Sequence, residues 1–143
     1  MGRLFGTDGI RGIANRDLSI QRGAQVGQAL ATVLRERLGE GSKPRVFIGK
    51  DTRLSSDMIE AALASGLCAG GVDCFSLGVV PTPAVACLTV SHRMDAGVMI
   101  SASHNPFQFN GIKIFGPKGY KLTDEEEAEI EDMILDDAIP MHK

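Results

Sequence analysis

The segment 99–115 carries hydroxyl, imidazole and amide side chains where an apolar run ends abruptly. Ser101, Ser103 and His104 follow that run, and Lys113 lies within the next one. A serine hydroxyl at the end of a strand can act as a nucleophile when nearby groups stabilise the charge that develops. Ser, Asn, Pro and Gly are also ordinary turn residues, so the segment alone leaves a plain polar connection open.

The two serines do not fit the common pattern of a serine hydrolase. Neither lies in G-x-S-x-G, and a single histidine beside them in the sequence does not make a catalytic triad. A phosphorylated serine fits better, because its phosphate carries about −1.5 to −2 charges and needs cations close by. Arg11, Lys113 and Arg53 are the candidate cations.

Two other segments place cations among small polar residues. Arg11 lies in the glycine-rich segment 6–12, whose glycine spacing fits neither G-x-G-x-x-G nor the P-loop. We predict a backbone loop there that brings a guanidinium, which can bind phosphate bidentately, close to a ligand. Lys50 and Arg53 flank Asp51 in Lys-Asp-Thr-Arg. Taken alone, these segments are also compatible with a glycine-rich turn and a surface ion-pair cluster.

Apolar periodicity predicts an α/β layered fold with a mixed, mostly parallel sheet of about four strands and flanking helices. The strand after the serine segment should run antiparallel to its neighbours, because about ten residues are short for a crossover. The predicted strands are 45–49, 72–77, 96–101 and 111–115, with an N-terminal strand segment around 3–6.

Helix signals lie between these strands. An apolar stripe over 20–38 ends at Gly39, and Thr123 with Glu126 forms a capping box for a last helix. Seven of the nine residues in 124–132 are acidic, which we interpret as a solvated helix face. The other predicted helices begin near Asp57, with Glu60 as its capping partner, and at Thr82-Pro83, running through Leu88.

Polar connections follow three strand-like runs, at 6–12, 50–56 and 101–110. Ligands gather at the carboxyl ends of strands in α/β sheets. We therefore predict that these three connections converge at one edge of the sheet.

Composition narrows the class of protein. The 143 residues suffice for a single domain, with 136–143 as a tail or linker. A net charge of −3 and the absence of Trp argue against nucleic acid as a partner. The N-terminus has no signal-peptide pattern and no apolar run reaches the length of a membrane span, so we expect a cytoplasmic protein without a membrane partner. Its three cysteines are then expected to be buried, reduced thiols.

Three motifs in order resemble the α-D-phosphohexomutase superfamily: Phe-Gly-Thr-Asp-Gly-Ile-Arg-Gly, Gly-Lys-Asp-Thr-Arg, and Ser-Ala-Ser-His-Asn-Pro followed by Asn-Gly-Ile-Lys. The resemblance covers essentially the whole chain. Within the superfamily, the first residues of the chain and the sequence of the serine segment are most similar to bacterial phosphoglucosamine mutases.

The resemblance implies a role for each residue of the serine site. Ser103 matches the phosphoserine that donates phosphate to the sugar, and His104 matches a residue that shapes and polarises its loop. Lys113 matches a lysine close to the phosphoserine that assists proton transfer. Arg11 matches the arginine that faces the phosphate.

The resemblance also implies supporting residues and a metal. Asn105 would help to shape the loop, Ser101 would have a positional role, and Lys50 and Arg53 would support the phosphate or the loop. One Mg²⁺ would bind a phosphate oxygen on Ser103 and three aspartates of a loop that this sequence does not contain.

The implied reaction converts glucosamine 6-phosphate to glucosamine 1-phosphate through a bisphosphate, for UDP-N-acetylglucosamine and peptidoglycan synthesis. The chain would be the first of four domains, inactive alone, with the phosphosugar and the remaining domains as partners and a homodimer as one form of the parent. Two alternatives stay open. One is domain I of a phosphomannomutase or phosphoglucomutase, and the other is a non-catalytic structural or binding module.

Overall fold

The computed structural model describes residues 4–7, 9–102 and 105–142. In these ranges the chain forms one six-stranded sheet in the order β1-β2-β6-β5-β3-β4, with four helices. The strands are β1 (Phe5–Gly6), β2 (Gly9–Ile13), β3 (Arg45–Lys50), β4 (Asp73–Val79), β5 (Ala96–Ile100) and β6 (Phe109–Phe115). The helices are α1 (Ile20–Leu38), α2 (Ser56–Ala69), α3 (Thr82–Ser91) and α4 (Asp124–Leu135).

The predicted α/β layered fold with a mixed sheet is confirmed, although the described sheet has six strands rather than four. β3 pairs in parallel with β4 and β5, whereas the β5–β6, β6–β2 and β2–β1 pairs are antiparallel. The antiparallel direction of the strand after the serine segment is therefore confirmed. Parallel pairing is confined to the half of the sheet whose strands are joined by helices.

The glycine-rich segment 6–12 was wrongly predicted as a loop, since most of it forms the β1–β2 hairpin. Ile10 is opposite Ile112 and is 4% exposed, so the segment gains both a backbone partner and a core residue. Gly9 has φ +87°, and a Cβ there would meet the Ile112 carbonyl. Glycine thus permits the close turn, and the neighbouring strand makes the rest extended.

The two faces of the sheet are covered differently. Buried residues of α1 and α2 join one core cluster with alternate strand residues such as Ile48, Val98 and Ile112. On the other face α3 contacts β3 and β5, where a Cβ at Gly97 would meet Thr89. All five residues of β5 are buried between these layers.

The helix predictions are confirmed in position but not in every cap. α1 ends before Gly39 as predicted, and the Thr123–Glu126 capping box opens α4. α2 instead begins at Ser56 with Ser55 as its N-cap, and Asp57 and Glu60, which were predicted to cap it, both bind Lys50. α3 has Pro81 in the N-cap position and extends beyond Leu88 to Ser91.

The acidic face of α4 is not wholly solvated, which corrects the interpretation of this charge run. Glu127 is 9% exposed and accepts a hydrogen bond from Lys121. Glu131 is 5% exposed, and its Oε1 accepts the backbone N–H groups of Leu4 and Phe5 at 2.8 and 2.7 Å. The Glu131 carboxylate therefore anchors β1 at the N-terminus of the sheet.

The cysteines are free thiols, but two of the three were wrongly predicted as buried: Cys68 and Cys87 are exposed, and Cys74 is partly buried. Cys68 and Cys87 lie on helices whose outer sides face solvent. Beyond α4 the chain is irregular through residue 142, although Ile139 packs against the core. None of the helices in the described ranges is long and apolar enough to cross a membrane.

Candidate functional site

Two of the three polar connections begin at adjacent strand ends. Lys50 and Ile100 are partners in the parallel β3–β5 pair, so both strands end at the same edge. The Asp51 N–H donates to the Ile100 carbonyl at 3.1 Å. The Ser101 N–H donates to the Gly111 carbonyl at 3.0 Å, which continues the β5–β6 ladder. Connections 50–56 and 101–110 therefore meet at one edge, as predicted.

Arg11 joins this edge from β2, across Gly111. Arg11 and Gly111 are direct cross-strand partners. A Cβ at position 111 would lie 3.0 Å from Arg11 Cγ and 2.8 Å from the Ser101 carbonyl oxygen. Glycine is therefore needed where the arginine side chain packs over the strand, next to the serine segment.

Lys113 lies on the same sheet face as Arg11. It is two residues beyond Gly111 on β6 and pairs with Met99 of β5. Diagonal neighbours on adjacent antiparallel strands are about 7–8 Å apart. Both cations are partly buried, so their charges are less screened than those of a fully solvated pair.

Ser103 and His104 lie outside the described residues, so their predicted proximity to Arg11 and Lys113 stays a prediction. The described residues on either side of them are fixed. Ala102 is fully buried, and the Asn105 N–H donates to its carbonyl at 3.1 Å.

Arg53 holds the serine segment through hydrogen bonds to its backbone carbonyls. Its Nη1 lies 2.9, 2.8 and 3.1 Å from the carbonyl oxygens of Asn105, Pro106 and Phe109. Its Nε donates to Asp51 Oδ2 at 2.9 Å, and the side chain is 12% exposed. The structure thus brings Arg53 to the backbone of the segment.

Asp51 is the acidic residue at the centre of this arrangement. Burial alone works against its charge, but hydrogen bonds from Ser56, from the Arg53 N–H, from Ser101 and from the Arg53 guanidinium together lower the pKa of the carboxyl below its ordinary value. Asp51 is therefore ionised at neutral pH and holds its donors as charge-assisted hydrogen bonds.

Lys50 is turned away from the other candidate cations. Its Nζ lies 2.7 Å from Asp57 Oδ1 and 2.9 Å from Glu60 Oε1, both on α2. Hydrogen bonds to Asp57 and then Glu60 raise the pKa of this ammonium. The structure therefore places Lys50 on the face covered by α1 and α2, opposite to the face of Arg11 and Lys113.

Asn110 is a buried site residue that the sequence analysis missed. It is 0% exposed, and its Nδ2 donates to Ser55 Oγ at 2.9 Å and to Ser56 Oγ at 3.1 Å. Its position in an Asn-Gly pair suggested a turn. The pattern that could have revealed it is the two-residue spacing of Asn110, Ile112 and Ile114. Residues at this spacing lie on one face of a strand, here the core face.

A cavity of about 650 Å³ opens beside this arrangement, within the range of small-molecule sites. Leu54 and Phe107 at its rim are 96% and 82% exposed. Its lining residues are Asp51, Thr52, Arg53, Leu54, Ser101, Asn105 and Phe107.

The family model of the phosphoglucomutase/phosphomannomutase α/β/α domain I matches residues 2–139. The chain belongs to this family, as its domain I. This domain I is 56% identical over 135 residues to a phosphoglucosamine mutase from Caldicellulosiruptor bescii, a match that covers 94% of this chain and 29% of that protein. A phosphoglucosamine mutase from Syntrophomonas wolfei is 55% identical over 135 residues, with 94% and 30% covered. The chain thus spans about 30% of the length of these relatives.

Solved structures show the same architecture as this domain I. A phosphoglucomutase/phosphomannomutase family protein from Burkholderia thailandensis superposes with a TM-score of 0.85 at 28% identity, covering 98% of this chain and 31% of that one. A putative phosphomannomutase from Thermus thermophilus gives 0.81 at 31% identity, covering 95% and 29%.

Proposed function

We propose that this domain I belongs to a phosphoglucosamine mutase and carries the serine that exchanges phosphate with the sugar. The observation that carries the proposal is the identity of 55–56% to two proteins of that name, over nearly the whole chain. It is supported by Arg11 and Lys113, which share the sheet face beside the serine segment.

In this proposal Ser103 begins as the phosphoserine. Its phosphoryl group moves from Oγ to the C1 hydroxyl of glucosamine 6-phosphate, and the product is the 1,6-bisphosphate. The 6-phosphoryl group then returns to Ser103 Oγ, which restores the phosphoenzyme and releases glucosamine 1-phosphate. Lys113 protonates Ser103 Oγ as its bond to phosphorus breaks, and takes that proton back when Oγ attacks in the second half. The proton lost by the C1 hydroxyl passes to solvent, and the C6 oxygen takes one up from solvent when its phosphoryl group leaves.

The fixed cations provide the energetic advantage. A transferring phosphoryl group spreads charge over its oxygens, and preorganised donors stabilise that charge without reorganising. Arg11 faces the phosphate as a planar fork of donors, while His104 and Asn105 shape the loop. Lys50, held by α2, acts through the support of the 50–56 connection rather than on the phosphate.

The described residues do not form a magnesium site on their own. They contain no cluster of three His, Cys, Asp or Glu side chains that could hold a metal ion. Asp51 is hydrogen-bonded to Ser101 of the serine segment, and both of its oxygens already accept hydrogen bonds. The Mg²⁺ implied by the family would bind a Ser103 phosphate oxygen together with carboxylates from outside this chain.

The test is an assay of glucosamine 1-phosphate formation by the full-length parent. Ser103→Ala should abolish turnover, and Arg11→Ala should lower kcat by about 10²–10³, as expected for a lost transition-state donor. Lys118→Ala is the matched control, because Lys118 is an exposed lysine of the same domain and should leave the rate unchanged. An active Ser103→Ala parent would contradict the role of this serine. A parent that prefers mannose or glucose phosphates would contradict the glucosamine specificity.

The isolated domain should show no turnover even when Ser103 carries phosphate, which intact-mass measurement detects. Orientation of the reacting groups alone is worth about 7–11 kcal/mol, and one domain cannot orient both phosphates of the substrate. The parent's other domains are thus the expected partners, and sedimentation of the parent tests the homodimer. Appreciable turnover by the domain alone would contradict this expectation.

A further inference from the structure

We propose that Asp51 and Arg53 form a clamp that positions the serine segment 101–109 for reaction, an inference that rests on the proposed function. The clamp is defined as these two side chains and the hydrogen bonds they make. Neither residue needs to touch the sugar. Their effect is to fix the backbone that carries Ser103 on both sides of that residue.

Arg53 fixes the far side of the segment. One nitrogen, Nη1, lies within 3.1 Å of the carbonyl oxygens of Asn105, Pro106 and Phe109. Three carbonyl dipoles converge on a single cation, and Nε of the same group binds Asp51 at 2.9 Å. Only a guanidinium offers several donors in a rigid plane, so lysine cannot keep both sets of contacts.

Asp51 fixes the near side and joins it to Arg53. Its Oδ1 accepts from Ser56 Oγ at 2.7 Å and from the Arg53 N–H at 3.1 Å. The Ser101 hydroxyl is a further hydrogen-bond partner of the same carboxyl. Ser101, two residues before Ser103, is therefore tied to the end of β3 and to the start of α2.

Asn110 anchors the end of the segment to the same helix. It binds Ser55 and Ser56 at the start of α2, and its Oδ1 accepts the Gly111 N–H at 2.9 Å. Both ends of the segment thus depend on one polar network beneath it, with Asn110 and Ser56 fully buried. A buried network in which the donors and acceptors are paired restricts a loop to one arrangement.

The predicted kinetic signature separates positioning from substrate binding. A loop displaced by about 1 Å can cost about 100-fold in rate, because the reacting atoms leave their attack geometry. A residue that bound the sugar phosphate in both ground and transition states would instead raise KM. The clamp therefore predicts a lower kcat with little change in KM.

The experiment compares Arg53→Lys and Asp51→Asn with wild type in the full-length parent. We expect kcat to fall about 100-fold in each, with KM changed less than about twofold. Hydrogen exchange of the segment 101–109 should become faster. Arg16→Lys is the matched control: Arg16 forms an exposed pair with Asp17 at 3.1 Å, and neither readout should change.

Free guanidinium supplies a further readout in Arg53→Ala. A positioning role predicts partial recovery of kcat when guanidinium ion is added, whereas methylammonium should not restore it. A variant that is merely unfolded would show a lost thermal transition and no such recovery. In that case Asp51→Asn, which keeps the side-chain volume, decides the question.

Each outcome bears on one proposal. Unchanged kcat with raised KM in Arg53→Lys would mean that Arg53 binds the phosphosugar, and would overturn the clamp. Unchanged hydrogen exchange with unchanged kcat would overturn it too. Hydrogen exchange is measured without substrate, so faster exchange in a parent that does not isomerise glucosamine phosphates would contradict the proposed function while retaining the loop clamp. If the wild-type parent is active and the segment exchanges as slowly in Arg53→Lys as in wild type, the clamp alone is contradicted.

Discussion

Replacement of Glu131 by alanine should strongly destabilise the domain, because this buried carboxylate accepts two backbone N–H groups. Oε1 lies 2.8 Å from the Leu4 nitrogen and 2.7 Å from the Phe5 nitrogen. Phe5 is 2% exposed, so its N–H has no route to water once the acceptor is removed, and Leu4 is partly exposed. A buried donor left unsatisfied costs about 1–3 kcal/mol.

We therefore expect Glu131→Ala to lower the free energy of unfolding by about 2–4 kcal/mol, with the Leu4 N–H at the lower end of that range. This is a large share of the roughly 5–15 kcal/mol that holds a typical domain folded. Glu131→Gln keeps a carbonyl oxygen for the two donors and loses the charge assistance of these two bonds. It should therefore cost about 1–2 kcal/mol, less than the alanine variant.

Urea denaturation of the 143-residue chain, followed by far-ultraviolet circular dichroism, measures these differences. Glu129→Ala is the control, since Glu129 is exposed on the same helix and should change the free energy of unfolding by less than about 0.5 kcal/mol. A loss of under 0.5 kcal/mol in Glu131→Ala, or a glutamine variant as damaged as the alanine one, would refute the assignment of this carboxylate as the anchor of β1.

Three further outcomes test other parts of the fold. Gly97→Ala should destabilise the domain by about 1–3 kcal/mol in urea denaturation, because its Cβ would overlap the Thr89 hydroxyl; a neutral variant would show that α3 can move. Burial raises the pKa of the Glu127 carboxyl, so its charge opposes folding at neutral pH and this penalty disappears below the unfolded pKa. Glu127→Gln should thus melt higher than wild type at pH 7, with the gap closing in acid, and an equal gap at both pH values would contradict this. Burial raises the pKa of Cys74 to about 12, against 9.0 for an unperturbed thiol, so maleimide should label it about a thousandfold more slowly than an ordinary thiol. The exposed Cys68 and Cys87 should label before it, and equal labelling of all three would contradict this.

Local patterns were sufficient to predict most of the elements. The apolar stripe of α1 and its stop at Gly39 depend on neighbours along the chain, so the sequence carries them directly. The antiparallel direction of β6 followed from connection length alone. β2 could not be found in this way, because its extended conformation depends on pairing with β6, about 100 residues later.

The site shows the same limit. The topology of an α/β sheet predicted that the connections after β3 and β5 would meet, and they do. The motif did not separate the roles of Lys50 and Arg53, because Lys50 is the last residue of β3 whereas Arg53 lies in the connection after it. Lys50 alternates with Ile48 and so lies on the core face, where α2 supplies Asp57 and Glu60. The three backbone carbonyls bound by Arg53 are placed by the loop conformation, which residue spacing does not predict.

The pairing of β2 with β6 also sets when the first residues of the chain can fold during synthesis. β3, α2, β4, α3 and β5 occupy residues 45–100 and contact one another through short connections. The hairpin that precedes them must wait for β6 and for Glu131, whose partner Phe5 is 126 residues earlier. At about 5–20 residues per second on the ribosome, Phe5 and Ile10 would stay exposed for roughly 5–25 s. A nascent chain paused after β5 would therefore present an unpaired strand edge and an apolar N-terminal segment, which are the features that chaperones bind.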